Sequence, residues 1–164
     1  MTTQSIKPGL GSPLVFLRFR PVWTYIDGVR EFGRFFCEQT FSDGELAERA
    51  QMAIQETLEN AVKYSSRAED TELEVSISSD GRRLVIACTS EPDPNHLSKL
   101  KMELEQIHAL DPEAAYIAAF RRAAAEPEAA SRLGLARMRY EGRFELTLDD
   151  ADDGRVRITA VSNL

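Results

Sequence analysis

The apolar residues of this chain change period near residue 70, from that of a helix to that of a strand. The change constrains the architecture more than any single residue does. Leu46, Ala50, Ala53, Ile54, Thr57, Leu58, Ala61 and Val62 recur on one helical stripe. Leu73, Val75 and Ile77 then alternate with Glu72, Glu74 and Ser76, as in a strand with one wet face. Asp80-Gly81 predicts a hairpin turn, with Leu84 to Thr89 as the return strand. A one-striped helix and a one-faced hairpin bury their apolar sides most readily against each other, which predicts an α/β two-layer sandwich.

The rest of the chain fits those layers. Residues 1–12 are polar and glycine-containing and read as a flexible start; 13–164 read as a single domain. Leu14 to Phe19 predicts a short strand. Val22, Ile26, Val29, Gly33 and Phe36 then share a helical face that Trp23, Phe32 and Phe35 widen, which predicts a well-buried helix. Ser42 and Glu45 have the spacing of a capping box, and Phe41 and Leu46 that of a hydrophobic staple, placing the next helix start there. Residues 92–130 are Ala- and Glu-rich with helical spacing in 97–110 and 113–125, punctuated by Pro92, Pro94, Pro112 and Pro127. A short helix follows around Ser131 to Tyr140. Two alternating segments, at Phe144, Leu146, Leu148 and at Val156, Ile158, Ala160, close the chain around a turn at Asp149–Gly154.

Composition narrows the function classes. The 164 residues carry a formal charge of −7, which argues against general nucleic-acid binding. Cys37 and Cys88, the two cysteines, each lie in an apolar segment and read as buried thiols of a reducing compartment. His96 and His108 have no metal-ligand pattern around them and read as helix-surface residues. No signal peptide or membrane-spanning apolar run is seen, so a cytoplasmic protein with no membrane attachment is expected. Protein or small-molecule partners remain.

The chemistry-bearing residues sit on the second helix. At about 100° per residue, Glu56, Asn60 and Lys63 fall on one narrow stripe flanking its apolar face. Such groups rim the core and can look into a pocket between helix and sheet. A carboxylate can accept a proton from a nucleophile, an amide oxygen can ligate magnesium, and a lysine can meet phosphate. From spacing alone an ordinary amphipathic helix is the favoured reading, since Glu and Lys are common on helices.

The run Gln55-Glu56-Thr57-Leu58-Glu59-Asn60-Ala61-Val62-Lys63-Tyr64-Ser65 resembles the N-box of histidine-kinase-like (GHKL) ATPases. The strand and helix before it resemble those of stand-alone anti-sigma-factor serine kinases. The resemblance spans 14–162 in element order, but only the N-box is specific in letters. It implies the Bergerat fold: a mostly antiparallel mixed sheet, helices on one face and a helical lid-like insert at 92–130. It also implies ATP and Mg as cofactors, with Glu56 as general base, Asn60 as magnesium ligand and Lys63 as phosphate contact.

The chain departs from that family at both glycine boxes. Where the first should supply an aspartate and a Gly-x-Gly turn, it has Thr89-Ser90-Glu91-Pro92-Asp93-Pro94, with no glycine between Gly81 and Gly134. Glu91 and Asp93 are the candidates to replace the aspartate. Ser131-Arg132-Leu133-Gly134-Leu135-Ala136 resembles the second box without its first glycines. Gly134, taken as preceding a helix, can offer backbone N–H groups to an anion, with Arg132 beside it; equally, Gly134 can serve close helix packing. The insert can act as lid, plug or partner-binding surface.

Three functions follow as expectations. The first is a divergent regulator that binds a partner protein, of STAS-domain (anti-anti-sigma) or sigma-factor-like type, with nucleotide binding altered or lost and no cofactor. The second is an active Mg-ATP-dependent Ser/Thr protein kinase or ATPase. The third is a structural dimerisation module, and the resemblance admits a homodimer in any case. No phosphoacceptor-histidine hairpin precedes the domain in this sequence, so a full histidine kinase is not expected.

Overall fold

The computed structural model describes residues 12–66, 71–127 and 130–164, with the side chains of 130–132 left aside. The expected flexible start therefore lies outside the described residues up to position 11. In chain order the elements are β1 (Val15–Phe19), α1 (Trp23–Phe41), α2 (Gly44–Tyr64), β2 (Leu73–Ser79), β3 (Arg83–Ser90), α3 (Pro94–His108), α4 (Pro112–Ala125), α5 (Ala130–Tyr140), β4 (Glu145–Asp150) and β5 (Val156–Asn163).

The strands form one sheet in the order β1-β2-β3-β5-β4. Each pairing is antiparallel, so the sheet is more uniform than the mixed one expected. Asp80 fixes the β2–β3 hairpin: its carboxylate accepts from the backbone N–H groups of Arg82 and Arg83 and pairs with the Arg83 side chain. Leu73, Ile77, Leu84, Ile86 and Leu146 point from the sheet onto Leu46, Ile54 and Leu58 of α2, all at most 2% exposed. Fully burying a side chain of this size contributes about 1.5–3 kcal/mol, so the α2–sheet contact is the stabilising centre. This two-layer α/β sandwich, with helices over one face of the sheet and a helical insert, is consistent with the histidine-kinase-like arrangement.

Three local expectations need correction. First, α1 does not bury its aromatic flank: Trp23 is 57%, Phe32 42% and Phe35 61% exposed. Its buried residues are Ile26, Gly33 and Cys37. A Cβ on Gly33 would lie 2.2 Å from Ile54 Cδ1. The helix thus docks by its small-residue face, at a range that an aromatic face would forbid. Second, Ser42 does not cap α2. It turns the chain out of α1 in the left-handed region (φ 53°), and Asp43 is the cap, accepting from Leu46 N at 3.0 Å. Only two residues join the helices, and the first of them has to make the turn. Third, Glu74 on the outer sheet face is 4% exposed, not wet, because Arg18 and Arg155 each reach it at 2.9 Å. A buried carboxylate needs such pairing to offset its desolvation.

Candidate functional site

The last turns of α2 carry the site because two sides of the helix meet different neighbours. Thr57 lies inside and satisfies its hydroxyl on the helix itself, donating to Ala53 O (2.8 Å) and Ile54 O (3.1 Å). One turn on, Asn60 is 8% exposed and enters a cavity between α2, the sheet and α3. Tyr64, Cys88, His96, Leu100 and Ile158 line it with Asn60. The Asn60 Nδ2 is buried and finds no hydrogen-bond partner among the described residues. A buried amide without a partner costs about 1–3 kcal/mol, which marks it as a group open to a ligand, and the His96 Nδ1 in the same lining likewise finds no hydrogen bond among the described residues. Cys88 is free and buried, its thiol pushed up to about 12 by desolvation; Cys37 is likewise free, at about 11.

The chain itself roofs this cavity. Ser66 N–H donates to Glu91 O (2.8 Å) and Asp93 N–H to Tyr64 O (2.9 Å), with Ser65 and Pro92 forming an isolated β-bridge. The segment that stands in place of a first glycine box is thereby sewn to the end of α2. Asp93 is spent as the N-cap of α3, accepting from Asn95 N at 2.9 Å, and Glu91 is exposed; neither lines the cavity. His96, in the first turn of α3, lays its ring 4.8 Å from that of Tyr64. It is not simply a surface residue: its Nδ1 is buried, 3.8 Å from Asp93 Oδ1. The hollow measures about 390 Å³ with its mouth, near the lower end for ligand pockets. Its enclosed part holds roughly one or two waters.

Glu56 faces elsewhere, and the stripe seen in the sequence divides. Its side chain is 17% exposed and runs toward α5, with Oε1 3.5 Å from Arg137 Nη1. Burial holds this carboxyl above its ordinary range, and the neighbouring Glu59 and Glu141 act in the same direction; only Arg137 opposes them. Arg137 also gives its Nε to Glu141 Oε2 (2.7 Å), and the Tyr116 hydroxyl of α4 donates to Glu141 Oε1 (3.0 Å). The two bonds hold Glu141 below the usual carboxylate range. Lys63 is exposed, its Nζ 5.1 Å from the Tyr64 ring centre.

Gly134 lies in the second turn of α5, not ahead of a helix, so its N–H belongs to the helical ladder and offers nothing to an anion. Of the two roles open to it, close packing is the one the geometry supports: a Cβ there would lie 2.1 Å from Glu56 Oε2. The Arg132 side chain is outside the described residues. Nothing in the local sequence marks Arg137, Glu141, Tyr116 or His96 as site residues; the one available signal was the i, i+3 step from Gly134 to Arg137.

Asn60 offers its amide on the floor of the hollow, and residues 91–93 with His96 close over it. Among the described residues no group of three or more His, Cys, Asp or Glu gathers as metal ligands do, and no helix is long and apolar enough to cross a membrane.

A chain in the crystal structure of the SiaB-SiaC complex from Pseudomonas aeruginosa is similar in fold, with a TM-score of 0.65 at 17% sequence identity. The match covers 93% of this chain and 91% of that one. No family model matches the sequence, and no curated protein sequence matches it.

Proposed function

We propose that this protein is a divergent histidine-kinase-like signalling regulator that acts by binding a partner protein, with nucleotide binding altered or lost. The observation that carries the reading is the roof. Residues 91–93 are hydrogen-bonded to the end of α2, and His96 covers Tyr64 where an adenine-binding segment is expected. The similar fold comes from a structure that is itself a complex of two proteins, which supports a protein partner. By the N-box resemblance, a STAS-domain or sigma-factor-like protein is the partner class to try first. Isothermal titration of the full chain with Mg-ATP tests the reading. The expected result is no saturable binding; saturable binding that disappears in Asn60→Ala overturns it.

A second reading, an active Mg-ATP-dependent Ser/Thr protein kinase, is favoured by two observations. Asn60 keeps an unpartnered buried amide in the cavity, and Glu56, one turn earlier, keeps a carboxyl shifted toward proton uptake. In that reading α3 moves aside and Glu56 takes the proton from the partner's hydroxyl. Transfer of labelled phosphate from ATP to a STAS-domain substrate, lost in Glu56→Gln, is its test.

A further inference from the structure

We propose that Arg137 is the positioning residue for the Glu56 carboxylate, and that through Glu141 and Tyr116 it ties that carboxylate to the helical insert. The proposal rests on reading Glu56 as the functional carboxylate of the site.

Gly134 and Arg137 are one turn apart on α5, and both meet Glu56. The glycine leaves room for Oε2, where a side chain would stand 2.1 Å away, and Arg137 faces Oε1 at 3.5 Å. The remnant of the second glycine box thus seats this chain's own carboxylate. Stability alone is a weak reason for the ion pair, because Arg137 is 46% exposed and such pairs contribute about 0–1 kcal/mol. Arg137 is also shared. Its Nε is committed to Glu141 at 2.7 Å, one helical turn on, so the guanidinium is divided between two carboxylates.

The insert holds the other end. The Tyr116 hydroxyl reaches Glu141, and the Tyr116 ring stacks on Tyr140 with centres 5.2 Å apart. Arg139 donates to the carbonyls of Ile107 and Leu110, fastening α5 to the end of α3. The links from Tyr116, Ile107 and Leu110 to Glu56 run through α5, so a displacement of α3 and α4 changes the surroundings of the carboxylate. The charged groups that face Glu56 are Glu59 on its own helix, Arg137 on α5 and Glu141 beyond it.

The test is a carbon-13 carboxyl NMR titration of Glu56 in the full chain. Removing the cation in Arg137→Gln leaves Glu59 and Glu141 unopposed, and the Glu56 titration moves up in pH; Arg137→Lys restores part of the shift. Glu141→Gln removes a repelling charge and frees the guanidinium for Glu56, and the titration moves down. Opposite shifts in the two variants are expected. Shifts of the same sign, or a Glu56 titration unmoved in either variant, overturn the proposal. Should Arg137→Gln fail to fold, Glu141→Gln and Arg137→Lys decide it alone. Neither nucleotide nor partner enters this titration, so its failure is separate from that of the proposed function.

Discussion

Gly134 and the Glu56 carboxylate share one space: a methyl group on the glycine would stand 2.1 Å from Oε2. The obstacle is the tip of a flexible side chain, not backbone. In Gly134→Ala the better helix propensity of alanine, about 1 kcal/mol, offsets the cost of turning Glu56 away. Urea unfolding is expected to change by no more than about 1 kcal/mol. The ion pair with Arg137 is lost, however, so adding Arg137→Gln to Gly134→Ala no longer alters the Glu56 titration.

Glu56 also predicts a pH dependence of stability. Its carboxyl binds a proton more tightly in the folded than in the unfolded chain, above the ordinary value of 4.5. The resulting stabilisation is complete below that value and is lost as pH rises through the folded one. Glu56→Gln removes this loss. Relative to the parent, the variant is expected to gain stability as pH rises from 4.5 through the raised folded value, followed by urea midpoints at each pH. A gap between the two proteins that stays constant across the range contradicts the assigned shift.

Asn60→Leu replaces a buried amide, whose Nδ2 has no partner among the described residues, with a side chain of similar size. We expect thermal unfolding to shift upward, by about 1 kcal/mol of stability, because the desolvation of the amide is no longer uncompensated. Retaining Asn60 at that cost is what a ligand-binding role requires. A less stable Asn60→Leu protein indicates a partner for the amide inside the fold.

His96→Ala takes away the ring that covers Tyr64. Of the variants considered, it is the one expected to increase stabilisation by Mg-ATP or adenosine, read as a ligand-dependent rise in Tm over the parent. An equal response in both proteins places the barrier in the 91–93 connection instead.

The elements were legible where one face alone decides them. The α2 stripe, the Asp80-Gly81 hairpin and the two insert helices stand where their periods and breakers predict. The α1 aromatics misled because amphipathicity records which residues are apolar, not which side another helix can approach. Gly33, the buried glycine of α1, set that side. Asn60, singled out by its likeness to an N-box residue, lines the cavity, whereas the direction of Glu56 depended on Arg137, eighty-one positions away. Asp93 was chosen as an acid at the right place in the chain. That it caps α3 follows from Pro94 starting the helix.

The pairing of β3 with β5 has a consequence for how such a chain can diverge. Ser90 ends β3 opposite Val156, and the chain next enters the sheet at Glu145, the start of β4, paired with Val161. Lengthening an excursion of this kind is cheap, about 0.6 kcal/mol for each doubling of a flexible loop. The strands therefore exert little selection on what the excursion contains. Mutational drift can erase glycines there, rebuild the roof and vary the helices while the scaffold keeps its registration. Lineages sharing this scaffold are expected to differ most between residues 91 and 144, and a reporter grafted into the Ala109–Asp111 connection should leave the sheet intact.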